Sequence, residues 1–566
     1  MTERSRDALS VWAALLLGLA AFLVFAGWWV LLPTNIAWLN ERDRAMHMLG
    51  WLFFRDAPWG VPPGDSPHLG IELASSIALV DGLPLFAIPL KLFAAWLPQP
   101  FQYWGYWWLC CFCLQSLFGY RLARELGASR PIALIAGGFA LITPAFLFRI
   151  SLHMALGGHW LILAGLALYA RRVAPRPWMW PLLIGLSAAI HAYLFVMVGG
   201  LWVAAWLQRL WLRRLTRTAI IVEPIASVLA ALAVLWAAGF FYTGTLGGVG
   251  YGFFRLNLLW PIISQGWSRL IPGLPHSDYD YEGLGFLGIG VFGALLLAIA
   301  TGAIVQIRSL FTRRWLPLLL VCAVMALFAL SNVPGLLGRE TVPIPLPGPL
   351  LALGAMFRST GRFVWPLLYL ITVGAIVLAA RRLPLKFAAP ILALLFAVQI
   401  ADSSWAWSAF RRTIPVPADT WTTPLVSPFW DRAAAAGYTR IRAIPVIFSN
   451  PDWKALEYEA WRHQMDIDAI YLGRVDTNAV AQLNAADDAA IVAGTLEPKT
   501  LYSVDLATAR RLALTLKPDD LLAIIDKRIV FAQKGAALVD GLGIDPRSGL
   551  SATPWLPPGL QLFVGL

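Results

Sequence analysis

The sequence predicts an α-helical polytopic membrane protein carrying a smaller α/β domain at its C-terminal end. Three observations lead there. Of 566 residues, 59% are hydrophobic and only 13% charged, whereas soluble domains carry about 25% charged residues. Long apolar runs recur through the first four hundred or so residues, separated by short linkers. Beyond Asp402 the runs shorten and alternate with amphipathic stretches. The net charge of +12 does not point to a nucleic-acid partner, because the arginines sit in short clusters between apolar runs, which is how membrane proteins set their orientation.

The first run, 9–32, is longer than the roughly 7–15 residues of a signal-peptide core and ends in Trp28, Trp29 and Pro33 rather than a small-residue cleavage site. It reads as a retained transmembrane helix. A spanning helix needs about 20 apolar residues, and runs that long or somewhat shorter occur at 9–32, 101–120, 131–149, 159–170, 178–190, 192–208, 218–243, 284–306, 316–331, 363–380 and 387–401. These amount to about 11 expected spans. Linkers rich in arginine (Arg121/Arg124/Arg130, Arg171/Arg172/Arg176, Arg209/Arg213/Arg214/Arg217, Arg308/Arg313/Arg314, Arg381/Arg382/Lys386) alternate with long or nearly uncharged ones. Placing the basic set in the cytoplasm puts the N-terminus inside and everything after Asp402 outside.

The segment 77–97 is apolar enough to span, yet a crossing there would turn Arg121, Arg124 and Arg130 outward; with Pro84, Pro89 and Lys91 it reads as re-entrant or interfacial. The short stretch 178–208 is expected to form a hairpin with His191 near its tip. Glu223, beside Pro224, is expected at the inner membrane boundary. Cys110, Cys111, Cys113 and Cys322 lie in apolar runs without metal-ligand spacing and read as small packing residues. The expected domains are therefore a membrane domain over 1–402 and an extracytoplasmic α/β domain over 403–566. In the latter, the apolar runs 441–448 and 523–531 alternate with the amphipathic stretches 452–464 and 505–516.

The outer linkers hold most of the chemically interesting residues. All seven histidines (47, 68, 153, 159, 191, 276 and 463) fall on the proposed outer side or at its edge. Asp43 and His47 are four apart and would share one face of a short helix. A carboxylate there suits a general base that deprotonates an acceptor hydroxyl; an ion pair with Arg42 or Arg44 is the alternative. Asp81 opens the re-entrant segment. The glycine-rich stretch 244–252 lacks the Gly-Lys-Ser/Thr of a phosphate-binding loop. Downstream, Arg255 and Arg269 supply cations, and Asp278, Asp280 and Glu282 would offer oxygen ligands to a divalent cation, or form a solvated loop. Arg358 and Arg362, four apart where a helix enters the bilayer, fit a phosphate clamp because guanidinium forks match phosphate oxygens; snorkelling to anionic head groups is the competing use.

An acid in a long first outer loop, a short-tipped hairpin and arginines at outer helix ends resemble the GT-C glycosyltransferase superfamily. Several strings also resemble an uncharacterised bacterial multi-pass family near it: Pro33-Thr34-Asn35, 49–55, 76–85, Asn257-Leu258-Leu259, Gln265-Gly266-Trp267-Ser268-Arg269 and Arg358-Ser359-Thr360-Gly361-Arg362. The likeness covers 1–400 well and the remainder loosely. It implies a polyprenyl-phosphate-linked sugar donor, a cell-envelope glycan or lipid acceptor, and a place in the bacterial inner membrane. It assigns catalysis to Asp43; the expected substrate-binding residues, read from their chemistry and outer placement, are His47, Asp81, His153, His159, His191, Arg255, Arg269, Arg358 and Arg362. Asp43 is followed by Arg44, so the paired-acid form of the superfamily motif is absent, and no cofactor beyond a divalent cation is implied. A flippase or transporter for lipid-linked glycans, or a non-catalytic assembly partner, would share the multi-span architecture, although the internal repeats frequent in transporters are not visible.

Overall fold

The computed structural model describes residues 2–73, 75–173, 175–241, 251–271, 273–414, 421–447, 450–471 and 476–551. Of the glycine-rich stretch 244–252, all but Tyr251 and Gly252 lies outside these residues. The chain is mostly helical and divides into two compact units, one made of Met1–Trp38, Phe101–Leu235 and Gly248–Ala418, the other of Leu39–Pro100, Trp236–Gly247 and Asp419–Leu566. The long linker after the first helix thus belongs to the same unit as the C-terminal region.

In the first unit apolar-run counting overshoots. Among the described residues, five helices are long and apolar enough to cross a membrane: Ser5–Phe25, Ala192–Trp211, Thr218–Ala237, Thr360–Ala380 and Leu385–Arg412. A sixth is reached if the pair Arg130–Leu141 and Pro144–Leu152, bent by 45°, is one span. The expected eleven are not supported. The runs at 159–170, 178–190, 284–306 and 316–331 form helices of 10–17 residues, which at 1.5 Å per residue reach only roughly 15–25 Å of the ~30 Å hydrocarbon core. The run at 101–120 makes the 22-residue helix Trp104–Glu125, but its Trp, Tyr and Gln residues leave it less apolar than a spanning helix.

The 45° bend has a local cause. Pro144 has no N–H to return to the carbonyl four residues earlier, and its ring disfavours helical geometry at Thr143. The Ala140 carbonyl released in this way accepts from Gln115 Nε2 at 3.1 Å, and Thr143 Oγ1 donates to Phe139 O at 3.0 Å. His191 does lie between two helices, Met179–Ala188 and Ala192–Trp211, and its Nδ1 caps the second by accepting from Tyr193 N at 3.2 Å. Glu223 is buried and paired. It is 3% exposed and bonds both terminal nitrogens of Arg209, at 2.8 and 2.5 Å, because an acid inside an apolar helix bundle requires a buried partner.

The second unit contains a five-stranded sheet: β1 (Arg440–Ile444), β2 (Asp466–Ile467), β3 (Thr500–Val504), β4 (Leu521–Ile525) and β5 (Arg528–Ala532), in the order β2-β1-β3-β5-β4. β1 runs parallel to β2 and β3, while β5 is antiparallel to β3 and β4. The apolar run 523–531 is therefore a hairpin rather than one strand. It turns at Asp526 and Lys527, both with positive φ, the twist that a two-residue hairpin loop needs. Beyond β2, the segment around Leu69 continues the ladder: Ile467 N donates to His68 O at 3.0 Å, and Gly70 N to Ile467 O at 2.7 Å. Part of the first long linker thereby covers what would be an open sheet edge.

The same linker forms the helix Arg42–Asp56, buried from Arg44 to Arg55 and packed against the helix Trp453–Arg462. Within 77–97 the longest helix is Pro84–Lys91, about 12 Å long and far short of a bilayer. Glu457, on the Trp453–Arg462 helix, is 2% exposed and accepts from Tyr471 N at 3.4 Å. Burial raises its carboxyl well above the usual range, against the smaller opposing effect of that backbone bond. A raised folded pKa contributes stability that is fully present below the unfolded value of about 4.3 and gone once pH has risen through the folded value. Glu457→Gln should therefore match the wild type near pH 4 and unfold at a higher temperature by pH 8. Parallel thermal melts across that range check this, and a pH-independent difference between the two proteins would refute it.

Candidate functional site

The site residues expected from the sequence fall into both units. In the second, Asp43 stands half-buried in the first turn of the Arg42–Asp56 helix, where the amide dipoles favour a negative charge. One turn on, His47 is fully buried. Asp81 sits in the turn before Pro84–Lys91 with φ +48°, a left-handed conformation costly for a non-glycine residue. A ring nitrogen of His47 and a carboxylate oxygen of Asp81 lie within 4.8 Å of each other. Such a pair can pass a proton, or supply two of the ligands of a divalent cation.

In the first unit three charged side chains converge. Arg149, Glu282 and Arg362 are 2%, 6% and 5% exposed. Glu282 Oε2 is 2.8 Å from Arg149 Nη1 and accepts from Arg362 Nε at 2.7 Å. Burial by itself would raise the Glu282 carboxyl, but Arg149 and then Arg362 outweigh it and hold the group well below the usual carboxylate range. Arg149 Nη2 also donates to Tyr281 O at 3.3 Å, and the Arg362 guanidinium lies 4.7 Å from the Tyr193 ring centre.

The close backbone approach that assembles this group rests on two glycines. A Cβ at Gly361 would stand 2.7 Å from Gly283 Cα and 2.8 Å from Arg255 O, and one at Gly283 would stand 2.5 Å from that same oxygen. Gly361 N donates to Phe254 O, and Ser359 N to Tyr193 Oη at 2.8 Å. The string Arg358-Ser359-Thr360-Gly361-Arg362 is thus a tightly docked turn. Arg358 is half-buried over the Phe254 ring at 4.9 Å. The His153 and His191 rings are 5.4 Å apart, and His153 contributes to the field at Glu282.

The remaining expectations resolve differently. Asp280 is 1% exposed and accepts from Asn257 Nδ2 and Ser277 N, with Arg255 at 3.4 Å; Arg255 also bonds Glu340 at 2.9 Å. Asp280 and Glu282 therefore face guanidinium groups, and Asp278 is exposed. That arrangement compensates charge rather than gathering oxygens around a cation. Arg269 is exposed near Trp405, while its backbone N–H and the Ser268 hydroxyl both donate to Asp402 Oδ1 at 2.8 Å. The Gln265–Arg269 string thus holds a loop through its backbone.

His159 is fully buried, its ring centre 4.0 Å from that of Trp365 and 5.9 Å from that of Phe146, and its Nδ1 is 2.7 Å from Tyr369 Oη. Sequence reasoning passed over Arg149, Tyr193, Tyr369 and Gln115. For Arg149 a signal existed: it is a lone cation inside the apolar run Phe146–Ile150, and an ionisable residue at membrane depth is a functional indication by default.

The chain matches a family described as "Domain of unknown function (DUF6311)" over residues 15–404 and the "DUF6311 C-terminal domain" over residues 429–533. No curated protein matches it.

Proposed function

We propose a function for this chain, which belongs to the DUF6311 family: it is a membrane glycosyltransferase that takes a sugar from a polyprenyl-phosphate-type lipid carrier. The acceptor is a cell-envelope glycan or lipid. In this proposal the protein resides in the bacterial inner membrane with a GT-C-like arrangement, its N-terminus cytoplasmic and its C-terminal region extracytoplasmic, the orientation that the arginine clusters favour.

One observation carries the reading. Among the described residues Arg149 and Arg362 share a single carboxylate, Glu282, so these three side chains carry one more positive charge than negative. Arg255, by contrast, has two acidic partners. A buried charge without a counter-charge is costly, and a ligand phosphate would supply the missing anion. Guanidinium groups are suited to that task because their planar forks match phosphate oxygens. The apolar helices of the same unit suit a lipid-borne donor, and Asp43 serves as general base.

The test compares decaprenyl phosphate with decaprenol on the purified full-length protein in nanodiscs. The phosphate should bind more tightly, and Arg358→Lys and Arg362→Lys should each weaken that preference by about tenfold, the size of a lost charge-assisted bond. Mass spectrometry of cell-surface glycans, with and without the gene, should reveal a missing sugar. Equal affinity for phosphate and alcohol together with unchanged glycans would refute the reading.

A further inference from the structure

The protonation of His159 can be deduced from its partners. Gln115 Nε2 donates to Ala140 O at 3.1 Å and to Tyr369 Oη at 2.8 Å. The carbonyl of Ala140 can only accept, and Pro144 has left it without its helical donor, so the amide orientation of Gln115 is set. Both amide hydrogens are then used, and Tyr369 Oη accepts one of them. Among the described residues the tyrosine hydrogen has no acceptor besides His159 Nδ1, 2.7 Å away, so the arrangement with the fewest unpaired groups makes Nδ1 the acceptor. A neutral imidazole accepting at Nδ1 carries its proton on Nε2.

That Nε2–H is the unexplained group. The residue is fully buried, and Nε2 has no hydrogen-bond partner among the described residues. A buried donor without an acceptor is destabilising and calls for an explanation. Its surroundings suggest one. The His159 ring packs against Trp365 and meets Phe146 edge-on, and each neighbour lies three residues along the chain from a member of the charged cluster: Phe146 from Arg149, and Trp365 from Arg362. The positive charges of both guanidiniums reach the imidazole.

We propose that His159 Nε2–H donates to the phosphate oxygen of the bound anion, beside Arg149 and Arg362, with Tyr369 and Gln115 as positioning residues that hold the imidazole in this tautomer. A neutral donor fits here, since a third cation would add repulsion to a cluster already in positive surplus. The assignment rests on the anion-binding reading above. The ligand class is a phosphate monoester or diester, carried by a lipid or free in solution.

The experiment uses full-length protein labelled with ¹⁵N-histidine in lipid bilayers. One imidazole signal, absent from His159→Gln, should show a protonated Nε2 and an unprotonated Nδ1, and Tyr369→Phe should redistribute its tautomers. Decaprenyl phosphate should shift that Nε2 signal, while decaprenol should not. In binding assays His159→Phe should weaken decaprenyl phosphate by about tenfold, with decaprenol binding retained as the check on folding. His159→Gln, which keeps an N–H at similar reach, should recover most of the loss.

A protonated Nδ1, or a phosphate affinity indifferent to His159→Phe, would overturn the proposal while leaving phosphate binding intact. If inorganic phosphate, but not the lipid, produces the same shift and the same dependence on His159, the lipid-carrier reading fails and this assignment stands. If neither phosphate binds, both fall.

Discussion

Glu282→Gln should cost the membrane unit about 3–5 kcal/mol, the scale of breaking a buried ion pair by removing one partner. The amide keeps the shape but leaves Arg149 and Arg362, both nearly fully buried, facing one another with no carboxylate between them. Because Glu282 has a depressed folded pKa, its contribution is present above the unfolded value of about 4.3 and is lost only as pH falls through the lower folded value. The gap between variant and wild type should therefore persist undiminished from about pH 5 to pH 8. Unfolding of both proteins in the same detergent measures it. A variant within about 1 kcal/mol of wild type would mean that the two arginines find compensation elsewhere, and the charge-surplus argument for an anion would lose its footing.

Asp43→Asn should lower sugar transfer by about 10²–10⁴-fold, the range a general base contributes, with little change in affinity for decaprenyl phosphate. Asparagine preserves the side-chain shape and is tolerated in the first turn of a helix, so stability should shift by no more than about 1 kcal/mol. The two readouts separate chemistry from folding: turnover with a polyprenyl-phosphate sugar, and the melting temperature. Near-normal transfer by the variant would exclude Asp43 as base. The nearby pair of His47 and Asp81, within 4.8 Å of each other, would then be the next group to test. Asp280 and Glu282 are poor successors, because each is already held against an arginine.

Much of the local structure was legible from residue patterns, because helix periodicity and capping act over a few residues. The first apolar run is a helix, His191 separates and caps the hairpin helices, and the amphipathic stretches at 452–464 and 505–516 are the helices Trp453–Arg462 and Leu506–Leu512. Counting apolar runs failed where a run is interrupted. Residues 284–306, for example, break after Ala300 at Gly302, which has φ +69°, and the first piece is too short to span. The run at 523–531 hid a turn because Asp526-Lys527 adopts positive φ without the Asn-Gly signature that usually announces it.

By itself, the sequence determined that the chain is apolar and helix-rich, with helices long and apolar enough to cross a membrane and an α/β region at its end, since those properties follow from composition and short-range periodicity. It also put Arg358, Arg362, Asp43 and the histidines forward as chemically notable. Only the tertiary structure decided which of them meet. Arg149, Glu282 and Arg362 come from segments more than seventy residues apart, and their contact depends on Gly283 and Gly361 letting three backbones touch. The tautomer of His159 likewise depends on a carbonyl that Pro144 releases in one helix and on a hydroxyl supplied by another. The physical reason is the same in both cases. The charge balance of a buried group, and the direction of its proton, are set by which partners are within about 3 Å of it, and sequence separation says nothing about that distance.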